Sequence, residues 1–120
     1  MIIGLGTDLC DIARVADTLK RFPGRFENRL YTEQEQARAE RRPHKRAERY
    51  AQMFAAKEAC SKALGTGFRQ GVFWRDMEVV HLRSGKPTLH LTGGALARME
   101  KLTPDGMHAQ VELSLTFQYL

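Results

Sequence analysis

The hydrophobic patterning of this 120-residue chain predicts an α+β fold, with a small antiparallel sheet, one long helix and several short ones. Three observations carry that prediction. Apolar residues recur at helical spacing in several segments, the longest over residues 46–64. A turn, Ser84-Gly85-Lys86-Pro87, separates two segments of strand character. Both ends of the chain, residues 2–9 and 111–117, alternate with the period of a half-buried strand. At this length one domain over residues 1–120 is expected, and the 42% apolar fraction is ordinary for a globular chain.

In the opening strand Ile3, Leu5 and Leu9 fall on one face, and Gly4, Gly6 and Asp8 on the other. Two glycines leave that second face bare, so a partner can approach the backbone beside Asp8. Asp11 is placed to cap a helix running to about Phe22, with Ile12, Val15, Leu19 and Phe22 as its buried stripe. Pro23-Gly24 ends it. Thr32 and Glu35 form a capping-box pair, predicting a charged helix from Glu33 to about Arg42, where Pro43 breaks the pattern. The long helix follows, with Tyr50, Met53 (or Phe54), Cys60 and Leu64 as its stripe and Gly65 as its stop. Residues 77–82 and 88–91 read as a hairpin, Thr92 caps a helix through Leu102, and Pro104-Asp105-Gly106 is a turn. Val111, Leu113, Leu115 and Phe117 close the fold as a strand.

Nineteen Lys and Arg against fourteen Asp and Glu leave a net charge of +5, which suits an acidic partner: a nucleic acid, a phosphorylated ligand or an acidic protein. Cys10 and Cys60 have no metal-knuckle or disulfide spacing. No segment is apolar enough to span a membrane, and the N-terminus lacks a signal-peptide pattern, so a cytoplasmic protein with free thiols is expected.

Phe54, Glu58 and Lys62 lie at i, i+4 and i+8 along one side of the long helix, which ends in Gly65-Thr66-Gly67. Asp8 and Glu58 are two carboxylates of the kind that hold Mg²⁺ when phosphates and waters complete its shell. Lys62 and the backbone of the glycine turn suit a phosphate, and His44-Lys45-Arg46 adds charge nearby. By spacing alone these are weak signals: Glu58 and Lys62 also make an ordinary helix pair worth about 0.3–0.5 kcal/mol.

Two segments carry more. Residues 4–15, Gly-Leu-Gly-Thr-Asp-Leu-Cys-Asp-Ile-Ala-Arg-Val, resemble the opening of the holo-acyl-carrier-protein synthases. Residues 54–67, Phe-Ala-Ala-Lys-Glu-Ala-Cys-Ser-Lys-Ala-Leu-Gly-Thr-Gly, resemble their second signature. Residues 74–79 and Gly85-Lys86-Pro87 look like the middle segment of the same family. The resemblance implies the 4′-phosphopantetheinyl transferase fold and a Mg²⁺-dependent transfer from coenzyme A to a serine of apo-acyl carrier protein, releasing 3′,5′-ADP, in fatty acid biosynthesis. It implies Asp8 and Glu58 as metal ligands, and Glu58 and Lys62 as catalytic groups. Coenzyme A is expected to meet Lys62, Gly65, Thr66 and Gly67, with Lys45 and Arg46 assigned to its 3′-phosphate on charge and position. Arg14, Arg21 and Arg25 are the expected contacts to an acidic helix of the carrier protein, and a homotrimer with sites between subunits is expected.

The C-terminus departs from the family. The chain reads Phe117-Gln118-Tyr119-Leu120 where members continue with an acidic turn and a further strand. Two other readings compete. A non-catalytic basic module binding an acidic protein or nucleic acid fits the charge, but leaves Asp8 and Glu58 unexplained, and no aromatic-and-basic platform favours nucleic acid. A transferase of the same chemistry serving another carrier, such as one of polyketide assembly, is the third reading, but the small chain with a single motif set looks more like the fatty-acid type than like the larger two-lobed relatives.

Overall fold

The computed structural model describes residues 11–113. The expected opening strand with Asp8 and Cys10, and residues 114–117 of the expected closing strand, lie outside the described residues.

Helix α1 spans Ile12–Arg21. Asp11 caps it, its carboxylate accepting the Arg14 N–H at 3.0 Å. Val15 and Leu19 are buried against the long helix, but Phe22 is not part of the stripe. The helix stops one residue earlier, and the non-helical backbone of Phe22 (φ −130°, ψ 62°) leaves its ring 45% exposed. A short helix unassigned from sequence follows, α2 at Arg25–Leu30. Gly24 starts it at φ +79°, and the Glu27 carboxylate accepts the Gly24 N–H at 3.0 Å.

Helix α3 covers Glu33–Glu40, two residues shorter than expected. Its start has the reciprocal geometry expected of Thr32 and Glu35: Thr32 N–H donates to Glu35 Oε1 at 2.9 Å, and Glu35 N–H to Thr32 Oγ1 at 3.3 Å. Arg42, forced extended by the proline after it, ends the run, and Pro43–Lys45 makes a 3₁₀ turn.

Helix α4, Arg46–Leu64, has the expected limits and forms the spine of the fold. Tyr50, Met53, Cys60 and Leu64 are all buried, and Phe54 partly so. The small side chains of Ala51, Ala55, Ala56 and Ser61 are buried as well, so neighbouring elements pack around most of the helix. Gly65 ends it in the left-handed conformation at φ +79°.

A 3₁₀ turn at Trp74–Asp76 leads into β1, Met77–His81, which pairs antiparallel with β2, Pro87–Leu91, in a register from Met77↔Leu91 to His81↔Pro87. Leu82, expected within the strand, instead belongs to the turn, where its N–H bonds the Lys86 carbonyl at 2.9 Å. Helix α5, Gly93–Leu102, follows Thr92. The Thr92 hydroxyl does not cap it; its hydrogen bond, at 3.4 Å, goes to the Asp76 carbonyl. Val111–Leu113, the described start of the expected closing strand, join no ladder among the described residues.

Candidate active site

The site is built on the last turns of α4. Glu58 is half-buried and Lys62 exposed, one turn apart on the side that carries Phe54. At the end of the helix the Gly65 N–H bonds Lys62 O at 3.0 Å and the Gly67 N–H bonds Ser61 O at 3.1 Å. Two amides of the Gly65-Thr66-Gly67 turn are therefore already spent on closing the helix. Among the described residues that leaves the Thr66 N–H, while the buried Thr66 hydroxyl donates to Gly67 O at 2.8 Å. The C-terminal end of a helix carries partial negative charge, so an anion brought here needs a cation beside it, and Lys62 stands in that last turn. From α5, Arg98 Nε donates to Leu64 O at 2.9 Å and shares the capping of the same end.

The loop beyond the turn is held by aromatic stacking. Phe68 lies on Trp74 with ring centroids 3.6 Å apart and planes 13° from parallel, and Trp74 stacks on Phe54 at 5.0 Å. The column continues through Phe26 to Tyr31 and Tyr50. Phe54 and Trp74 thus belong to the partly buried edge of the core. At Gly94 the first turn of α5 approaches the loop so closely that a Cβ there would lie 1.8 Å from Gly71 O.

The cations expected around coenzyme A are not alike. Lys45 is exposed on its 3₁₀ turn. Arg46 is committed: its Nε bonds the Glu40 carboxylate, and its Nη2 bonds Glu27 Oε2 at 3.1 Å. Arg14 and Arg21 are exposed on the α1 surface away from Val15 and Leu19, and Arg25 is exposed at the start of α2. Arg21 has a loose partner in Asp17 at 3.8 Å, an arrangement of little energetic weight. Asp8 lies outside the described residues, so its distance to Glu58 is not described.

Sequence reasoning missed Lys57, the residue before Glu58. Its side chain is fully buried, with Nζ 2.7 Å from Glu35 Oε1, 2.6 Å from Met77 O, 2.9 Å from Leu30 O and 3.1 Å from Trp74 O. Burial pushes the ammonium below the ordinary lysine range, and Glu35 opposes that shift. Glu35, read only as a capping residue, also accepts the Val79 N–H at 2.8 Å. Cys60 is buried and its thiol is pushed up to about 11, as befits a core residue rather than a nucleophile.

Among the described residues no three His, Cys, Asp or Glu side chains gather around one point. Mg²⁺ keeps waters and substrate oxygens and takes few protein carboxylates, and Glu58 is a half-buried carboxylate near this end of α4.

A glycine-ended helix bearing acid and base one turn apart, set on an α+β body, has a match among known families. The model of the 4′-phosphopantetheinyl transferase superfamily matches residues 4–115, and the chain belongs to that family of enzymes. A curated relative, the holo-[acyl-carrier-protein] synthase of Methylobacterium nodulans, is 61% identical over 97% of this chain and 87% of its own length. The crystal structure of holo-[acyl-carrier-protein] synthase from Neisseria meningitidis superposes with a TM-score of 0.74 at 36% identity, covering 84% of this chain and 80% of that one. A Bacillus anthracis holo-(acyl-carrier-protein) synthase, solved in complex with CoA (3′,5′-ADP), gives 0.68 at 38% identity over 77% of each chain. Family membership sets aside the reading of a non-catalytic module. No helix among the described residues is long and apolar enough to cross a membrane.

Proposed function

We propose that this chain transfers the 4′-phosphopantetheine group of coenzyme A to a serine of apo-acyl carrier protein, releasing 3′,5′-ADP, in fatty acid biosynthesis in the cytoplasm. The observation that carries the reading is Glu58 and Lys62 on one side of α4, directly above a turn with almost no side chains. In the reaction the serine Oγ forms a bond to the β-phosphorus of coenzyme A as the bond from that phosphorus to the bridging oxygen of 3′,5′-ADP breaks. Glu58 takes the serine proton, directly or through one water. Lys62 neutralises the phosphate under attack and offsets the negative end of α4. The bare Gly65-Thr66-Gly67 turn admits the pantetheine phosphate close to the backbone, where the Thr66 N–H is the remaining donor. Glu58 and Asp8 would hold Mg²⁺, which would supply charge neutralisation to the pyrophosphate.

Lys45 takes the 3′-phosphate in this reading, and Arg46 assists it only if its guanidinium is shared with Glu40 and Glu27. Arg14, Arg21 and Arg25 receive the acidic carrier protein. A homotrimer with sites between copies is part of the proposal.

Incubation with apo-carrier protein, coenzyme A and Mg²⁺ tests the reaction: the carrier should gain the mass of one phosphopantetheine on a serine. Glu58→Gln and Lys62→Met should each lower kcat about a hundredfold or more without moving the thermal melt substantially. Binding of the carrier without any mass gain would refute the reading.

A further inference from the structure

The fully buried ammonium of Lys57 has no part in the chemistry above, yet it joins the whole region beneath the site. Its acceptors are Leu30 O at the end of α2, Glu35 of α3, Trp74 O in the 3₁₀ turn and Met77 O at the start of β1. Glu35 adds Thr32 and Val79 to the same knot through their N–H groups. An ammonium carries three N–H bonds, so four oxygens saturate it and leave no donor for a substrate. Its geometry is also more exacting than that of an apolar side chain. A leucine or methionine packs acceptably over a range of helix rotations, whereas a buried cation among four fixed oxygens has one good placement.

Two links lead from this knot to the site. Lys57 is next to Glu58, so fixing its direction fixes the rotation of α4 that aims Glu58 and Lys62. Its bond to the Trp74 carbonyl anchors the residue whose indole stacks on Phe54, one turn before Glu58, and on Phe68, the first residue after the glycine turn.

We propose that Lys57 and Glu35 are positioning residues for the transfer: the pair sets the aim of Glu58 and Lys62 and, through Trp74, the placement of the loop that follows Gly65-Thr66-Gly67. The proposal rests on the reading of Glu58 as metal ligand and base given above.

Lys57→Met alone strands a buried carboxylate and is expected to unfold, so the test is the paired variant Glu35→Gln/Lys57→Met, which removes both charges together. Trp74 is the single tryptophan of the chain, so its emission reports on the anchored turn. The full-length variant is measured well below its melting temperature with apo-carrier protein, coenzyme A and Mg²⁺. It should keep its helical circular dichroism, lose at least tenfold in kcat, need several-fold more Mg²⁺ for half-saturation and show shifted Trp74 emission, with the carrier KM within about twofold of the parent. Parental kcat and Mg²⁺ dependence in the folded variant would reduce the pair to a purely structural one and overturn the proposal. Should the paired variant fail to fold, Glu35→Gln decides, because it leaves Lys57 its three carbonyls. A lowered kcat with shifted Trp74 emission supports positioning, and parental values of both refute it. Glu58→Gln separates the two readings. If that variant stays active the base and ligand assignment fails, whereas a fault in the positioning proposal leaves Glu58→Gln inactive and the paired variant active.

Discussion

Lys57 marks where reading by residue type stops. Positions 50, 53, 57, 60 and 64 follow one helical stripe, and four of them are Tyr, Met, Cys and Leu. The lysine in the middle faces the core by phase, but periodicity does not name its partner, which is twenty-two residues away in another helix. Glu35 was legible as a cap because its partner there is local; its bonds to Lys57 and Val79 are set by tertiary packing. Arg46 is similar, a cation legible as charge but not as the partner of Glu27 and Glu40. His81 supplies a prediction at this scale. Burial, then Arg38 and Arg49, hold its imidazole below the ordinary value of 6.5. The folded state therefore binds this proton less readily than the unfolded chain. Its contribution is at its best above pH 6.5 and is lost as the pH falls toward the lowered value. Melting temperature should decline from neutral pH to about pH 5, and His81→Gln should flatten part of that decline. Melts followed by Trp74 emission test this, and equal slopes in parent and variant would remove His81 as a source.

At the scale of elements, legibility followed local chemistry. The limits of α4 were readable because an alanine-rich stripe runs into a glycine that adopts φ +79°. The α3 cap was readable from Thr32 and Glu35. Helix α2 was not, since its six residues are too few for a periodic stripe and Pro23-Gly24 reads as a stop. Gly24 is in fact where the next helix begins, with Glu27 bonded back to it. Both the glycine turn after α4 and its joint with α5 lie between elements, and the joint has no sequence signal beyond the pair Gly93-Gly94. Its physical meaning is contact: a methyl group at position 94 meets the Gly71 carbonyl at 1.8 Å, backbone against backbone, so no rotamer change relieves it. Gly94→Ala should then push α5 from the loop over residues 65–73 and cost about 1–3 kcal/mol. Calorimetry measures the loss. Because the same loop leads from the glycine turn, the KM for coenzyme A should rise in the folded variant; an unchanged melting temperature would show that the joint relaxes freely.

For the whole molecule the unequal use of charge matters more than its sum. The net +5 is not spread evenly in its consequences. Lys57 is consumed inside the fold by Glu35, and the partly exposed Arg46 is taken up by Glu27 and Glu40. Arg14, Arg21 and Arg25 remain exposed on α1 and α2, with Lys20 and Arg29 exposed beside them. Exposed charges add little to stability, but an excess of positive charge on this face, here with Asp11 and Asp17 as acids among the arginines, raises the rate of encounter with an acidic partner and orients it. The packing of Val15 and Leu19 against α4 holds that face in a fixed relation to Glu58 and Lys62. Arg14→Glu reverses one charge on this face without touching a buried residue, so stability should hold within about 0.5 kcal/mol. The apparent KM for carrier protein should rise several-fold, while kcat and the KM for coenzyme A stay near the parental values. Salt separates steering from a local contact, because at physiological ionic strength charges more than about 8 Å apart are largely screened. Raising ionic strength should therefore raise the parental carrier KM more steeply than that of Arg14→Glu, and the two curves should converge at high salt. Parallel curves would place carrier recognition on another surface and leave the arginines of α1 as solvated charge.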